Sequence, residues 1–110
     1  MSKLTIDNPY NLDEVTFNPT VSAICVEGDA PFQGQAQISY VPNDKLLEFE
    51  AFESWLKEIS QTHTTIEGLA AIIMDKLVEV LGEQTPIRIY IHAETQVHAP
   101  ASVTIIHEGS

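Results

Sequence analysis

The chain carries one cysteine, Cys25, at the end of a β-branched run and just before Glu27-Gly28-Asp29-Ala30-Pro31. A cysteine in this place has two readings. As a thiolate it is a strong nucleophile when its pKa falls below the free value of ~8.5. As a thiol it is a small buried hydrophobe at a strand end, a common fate for free cysteine. Glu67 offers the second piece of chemistry. Its carboxylate either completes a capping box, with Thr64 as N-cap and Glu67 at the third helical position, or faces a ligand with adjacent N–H groups. A carboxylate accepts two parallel hydrogen bonds well, each worth ~1.5–3 kcal/mol when charged. The histidines are His63, His92, His98 and His107. There is no Cys-x-x-Cys and no histidine pair at helical spacing, so no metal is expected and the histidines read as surface or strand-face residues. The sequence holds no Gly-rich phosphate loop and no suggestive Ser-His-Asp order.

The elements that must position Cys25 and Glu67 follow from periodicity. Residues 1–19 contain Asn8-Pro9, Asn11 and Asn18-Pro19, which are turn and breaker signals, and read as an N-terminal arm. Residues 20–26 are β-branched and short, as in a strand. Residues 35–41 alternate, with Ala36, Ile38 and Tyr40 on one face and Gln35, Gln37 and Ser39 on the other. Phe52, Trp55, Leu56 and Ile59 form one face of a short helix. Ile66, Leu69, Ala70, Ile73, Leu77, Val80 and Leu81 form the stripe of a longer one over 65–81, with Gly82 where a C-terminal glycine belongs. Strands over 87–92 and 101–107 close the chain. The expectation is an α+β domain over 20–110: a four-stranded antiparallel sheet with two helices on one face, in the order ββααββ. The open edges of such a sheet invite pairing with another chain.

Composition narrows the partners. The 110 residues suit one domain, and 44% hydrophobic against 19% charged residues reads as a folded, soluble chain. Lys plus Arg is 5 and Asp plus Glu is 16, a formal net charge of -11, with Arg88 the sole arginine. Nucleic-acid backbones and anionic membrane surfaces both require clustered cations, so neither is an expected partner. The longest strictly apolar run, residues 69–74, is far short of the ~20 residues that span a bilayer. One cysteine excludes an internal disulfide and suits a reducing compartment, and a cytoplasmic location is expected.

The stretch Cys25-Val26-Glu27-Gly28-Asp29-Ala30-Pro31-Phe32, followed by Ile38-Ser39-Tyr40-Val41-Pro42, Leu47-Glu48 and Glu67, resembles the QueF-type 7-cyano-7-deazaguanine reductases. These belong to the tunnelling-fold superfamily, which also holds the GTP cyclohydrolases. Laid on their pattern without gaps, Cys25, Pro31, Ser39, Tyr40, Pro42, Glu48 and Glu67 fall in register, and the resemblance covers about residues 15–107. It implies a tunnelling fold with Cys25 as the nucleophile that attacks the nitrile carbon to form a thioimide. It also implies that Glu67 holds the guanine-like edge of the base, that an aspartic acid protonates the nitrile nitrogen, and that NADPH delivers hydride twice. Sites in the superfamily lie between subunits, which implies a homo-oligomer with Cys25 and Glu67 near a subunit boundary.

The chain departs from that pattern in three places. Phe32 stands at the general-acid position, where it becomes an apolar wall of the substrate pocket, and Asp29 in the same loop is the candidate substitute acid. The NADPH-associated motif reads Glu48-Phe49-Glu50-Ala51-Phe52-Glu53. Both of its lysines are missing, and Glu50 and Glu53 repel phosphates. Ile66 stands where a histidine often precedes the anchoring glutamate. The readings left open are a reductase, a non-reducing enzyme like the archaeal QueF-like amidinotransferases, and a non-catalytic purine- or pterin-binding module. A metal-dependent enzyme of cyclohydrolase type, using Cys25 and histidines, is the remaining alternative. The amidinotransferases add ammonia to the nitrile of a tRNA-bound base, and the acidity of this chain disfavours tRNA.

Overall fold

Two runs of alternating residues organise the sheet. β4 (Pro31–Tyr40) buries Phe32, Gly34, Ala36, Ile38 and Tyr40 and exposes Gln33, Gln35 and Gln37. β7 (Ile87–Glu94) buries Ile87, Ile89, Ile91 and Ala93. A computed structural model, which describes residues 3–94 and 98–109, pairs these strands antiparallel from Gln33↔Glu94 to Tyr40↔Ile87. β3 (Thr20–Cys25) and β2 (Val15–Phe17) share the other edge of β4, both antiparallel to it. β8 (Ala101–His107) lies antiparallel outside β7. β6 (His63–Thr64) adds a short parallel bridge outside β3, giving a six-stranded sheet in the order β6-β3-β4-β7-β8 with β2 beside β4. β1 (Thr5–Asp7) and β5 (Lys45–Leu47) form a separate antiparallel pair. There Lys45 Nζ donates to Asp7 Oδ1 at 2.8 Å, which holds the exposed Asp7 carboxyl below its usual range.

The helices cover one face of the large sheet. α1 (Phe49–Glu58) contributes Phe52 and Leu56, and α2 (Ile66–Leu81) contributes Leu69, Ile73 and Leu77. These pack with the buried residues of β3, β4 and β7 in one core that also includes Cys25 and Phe32. Gly82 ends α2 at φ 104°, a backbone conformation that glycine takes without a Cβ clash.

The α+β class and the two helices match the sequence reading, and the strand count does not. Among the described residues eight strands form where four were expected, and β6 is parallel to its neighbour. The unexpected strands β1, β2, β5 and β6 are two or three residues long, too short for alternation to show. Two of them lie within the stretch 1–19 expected as an arm. Residues 1, 2 and 110, at the outer ends of that arm and of the expected domain, lie outside the described residues. β4 starts at Pro31 rather than at residue 35, because proline is tolerated at the first strand position. α1 starts at Phe49 because Glu48 caps it, accepting from the Ala51 N–H.

Tyr40 ties β4 to β5. It is 1% exposed, and the Leu47 N–H donates to its hydroxyl at 2.8 Å. Burial pushes the phenol above its ordinary value, while the Leu47 contact acts in the opposite sense. Unfolding therefore returns to water a phenol that ionises more easily. Its contribution to stability is complete below about pH 10 and is lost as the pH climbs through the raised folded value. Tyr40→Phe strands the Leu47 N–H and is expected to cost ~1–3 kcal/mol. Urea titrations at pH 7 and above pH 10 check both points, since the variant loses stability at neutrality and has a shallower alkaline decline.

Candidate functional site

The end of β3 is built by three backbone contacts. Cys25 N–H donates to Ala30 O at 2.8 Å, closing the turn into β4. Gly28 and Asp29 take positive φ there, at 82° and 54°, which glycine does freely and aspartate tolerates. On the other side, Ile24 N–H donates to Thr62 O at 2.9 Å and Val26 N–H to Thr64 O at 3.2 Å. These two bonds bracket Cys25 and set it opposite Thr64. The chain then enters α2 directly, so the first helical turn lies beside the cysteine.

The position of β6 moves the cap. Thr64 sits in the bridge, so Thr65 caps α2, its hydroxyl accepting from Gly68 N–H at 3.1 Å. The expected cap at Thr64, with Glu67 at the third helical position, is displaced by one residue. Glu67 falls at the second position, and its exposed carboxylate has no hydrogen bond or ion pair among the described residues. A carboxylate in the first turn is favoured by the helix dipole.

Cys25, Phe32 and Glu67 line one cleft of about 210 Å³ together with Val26, Thr65 and His98. Such a volume lies below the ~300–1,000 Å³ of pockets that bury drug-sized ligands, and suits a small heterocycle. The titratable groups on its wall are Cys25, Glu27, Glu67 and His98. No Lys or Arg stands among the described residues that line it. Phe32 is 6% exposed and belongs to the core as well as to the cleft wall. Asp29, the candidate substitute acid, is not on this wall. Its Oδ1 faces His63 Nε2 at 3.2 Å, on the exposed side of the turn.

Strand register explains why His98, read from the sequence as a surface or strand-face residue, reaches the cleft. Ile24 pairs with Pro31 and Gln33 pairs with Glu94. The end of β3, the start of β4 and the end of β7 therefore share one end of the sheet. His98, the first described residue after β7, lines the cleft with Cys25. Nothing in the spacing around His98 announces this; the pairing of β4 with β7 would have been the signal.

The positions that resemble an NADPH motif do not fit a nucleotide phosphate. Glu48 is committed to capping α1 at 2.6 Å, and Glu50 and Glu53 are exposed carboxylates on its first turns. Among the described residues no group of three or more His, Cys, Asp or Glu side chains is placed to hold a metal ion. No helix among them is long and apolar enough to cross a membrane.

No protein-family model matches the chain, and no curated protein matches it. The solved structures do: the fold is a QueF-like one. The chain is similar to the archaeosine synthase QueF-Like, solved in the apo form, with a TM-score of 0.82 at 13% identity. The match covers 92% of this chain and 99% of that one. At this identity the likeness concerns the fold, and it agrees with the resemblance read from Cys25, Tyr40 and Glu67.

The cap and the carboxylate are separable. Thr65→Ala is expected to destabilise the protein by ~1 kcal/mol, within the ~0.5–2 kcal/mol range of lost N-caps. Glu67→Ala is expected to change stability by less than ~0.5 kcal/mol, as for surface sites without partners. Chemical denaturation of the two variants beside the parent measures the difference.

Proposed function

We propose that this chain is a QueF-like enzyme that captures the nitrile of a 7-cyano-7-deazaguanine-type base as a covalent thioimide on Cys25. The observation that carries this reading is the meeting of Cys25 and Glu67, distant in sequence, on the wall of one small cleft with Phe32. Glu67 accepts the paired N–H groups of the base's guanine-like edge, and Phe32 packs against the flat ring. The Cys25 sulfur then adds to the nitrile carbon.

The second half of the reaction is non-reducing in this proposal. A nitrogen nucleophile such as ammonia adds to the thioimide carbon and expels the Cys25 thiol, leaving an amidine. Glu50 and Glu53 favour this over NADPH-dependent reduction, since two carboxylates repel a dinucleotide's phosphates. The fold shared with an archaeosine synthase points the same way. A free base is the better substrate than a tRNA, because the cleft wall and the chain as a whole are acidic. The working unit is a homo-oligomer whose sites are completed across subunits, with β8 and β6 as the sheet edges available for pairing.

Intact-mass measurement after incubation with 7-cyano-7-deazaguanine tests the capture. The parent is expected to gain one base, Cys25→Ala none, and Glu67→Ala to bind roughly 10- to 100-fold more weakly, the equivalent of ~1.5–3 kcal/mol of charged hydrogen bonding. Ammonia is expected to clear the adduct and NADPH to leave it; consumption of NADPH reverses that order. Binding without an adduct, unaffected by Cys25→Ala, identifies a binding module instead. A monomer by size-exclusion chromatography at micromolar concentration removes the shared-site part of the proposal.

A further inference from the structure

We infer that a groove between β1, β5 and the start of α1 docks a short segment of another protein, one that carries apolar side chains beside Lys or Arg. The groove shares no lining residue with the Cys25 cleft, and the inference is independent of the nitrile reading. Seven large hydrophobic side chains are exposed among the described residues, and four of them stand here: Ile6 at 52%, Tyr10 at 65%, Leu12 at 41% and Phe49 at 42%. The half-buried Val15 and Leu46 extend them into a groove of about 640 Å³. Scattered exposed hydrophobics are ordinary, whereas a gathered set marks an interaction surface. The walls are held in place. Phe49 stacks on Phe17 with ring centroids 4.5 Å apart, and Phe17 meets Phe52 edge-on. Tyr10 N–H donates to Asn8 Oδ1 at 2.9 Å, and Asn8 Nδ2 donates to Asn43 O at 2.7 Å, which ties this turn to the loop before β5. An occupant therefore meets a preformed surface and does not bear the cost of ordering it.

Charge decides what that occupant is. The charged residues on the groove wall are Glu48 and Glu50, with no Lys or Arg among the described residues that line it. Glu48 caps α1, whereas Glu50 is exposed and has no hydrogen bond or ion pair among the described residues. Asp13 and Glu14, both exposed, lie in the chain between Leu12 and Val15. Lys45, next to Leu46, is committed to Asp7 at 2.8 Å. In a two-fold pairing of this chain through the groove, acids meet acids on top of a net charge of -11 per copy. An anionic membrane surface meets the same repulsion. A segment with Lys or Arg beside its apolar residues meets Glu50 with the opposite sign and fills the groove with apolar area. The edge of β1 away from β5 is open among the described residues, so such a segment in extended form can also pair its main chain with β1.

Fluorescence anisotropy with a short labelled peptide of alternating Leu and Lys tests this, with no nitrile present. Two further peptides, with every Lys replaced by Glu or by Ser, serve as comparators. The parent is expected to bind the Lys peptide at least ~10-fold more tightly than either comparator, with the advantage shrinking as salt rises. Tyr10→Ser is expected to weaken binding by ~10-fold, as for an aromatic anchor. Tyr10 is mostly exposed, so this variant keeps the fold, which thermal denaturation checks. Glu50→Lys is expected to weaken binding and flatten its salt dependence. Ile106→Ser, which removes an exposed hydrophobic outside the groove, is expected to bind like the parent. Equal binding of the three peptides overturns the inference, as does equal loss in Tyr10→Ser and Ile106→Ser. Self-association of the parent in sedimentation that Tyr10→Ser abolishes assigns the groove to a second copy and overturns it too.

Discussion

Two backbone hydrogen bonds, from Ile24 to Thr62 and from Val26 to Thr64, decide where everything else in the cleft goes. They bind two residues of β6 to the end of β3 in parallel register. Thr64 thereby becomes part of a ladder and is no longer available as a cap. Thr65 caps α2 in its place, and Glu67 becomes the second residue of the helix rather than the third. A glutamate at the third position folds back onto the cap's own N–H; one residue earlier, the carboxylate has no such duty. The same bridge explains Gly68, since a Cβ there would fall against the Thr64 hydroxyl. A bridge of two residues thus turns a structural carboxylate into an available one and sets it beside the cysteine.

Electrostatics then selects what can enter. The chain carries 16 acidic and 5 basic residues, and the cleft wall repeats that imbalance with Glu27 and Glu67. A phosphate-bearing ligand meets repulsion from the protein's overall field and no compensating cation among the described residues of the wall. A neutral bicyclic amide meets neither problem. In the proposed complex it would bring N–H donors to the Glu67 carboxylate and a flat apolar face to Phe32.

How far the sequence disclosed this depended on element length. The long alternations of β4 and β7 and the stripe of α2 were legible because each repeats its period several times. Ile38, Tyr40, Ile89 and Ile91 were therefore identifiable as core, and all are buried. β1, β2, β5 and β6 were not legible, since two or three residues cannot display a period. That loss matters most at β6, where misplacing one threonine misplaced the cap. Cys25 and Glu67 were visible as candidates through spacing that resembles a known pattern, whereas their shared cleft depends on a pairing no local signal encodes. His98 was invisible for a related reason. Its place on the same cleft wall as Cys25 goes with which strand lies beside β4, a long-range fact.

Phe32 shows what its position in the fold would cost a charged group. Its side chain is 6% exposed and packs in the core between strand and helix layers. A carboxylate at that depth loses its hydration, and an unpaired buried charge is costly by several kcal/mol. With phenylalanine there, the wall contributes to packing and stacking instead of to proton transfer. The titratable groups on the cleft wall are Cys25, Glu27, Glu67 and His98. Asp29 is not among them: its carboxylate faces His63 at 3.2 Å, in a turn where Gly28 and Asp29 take positive φ.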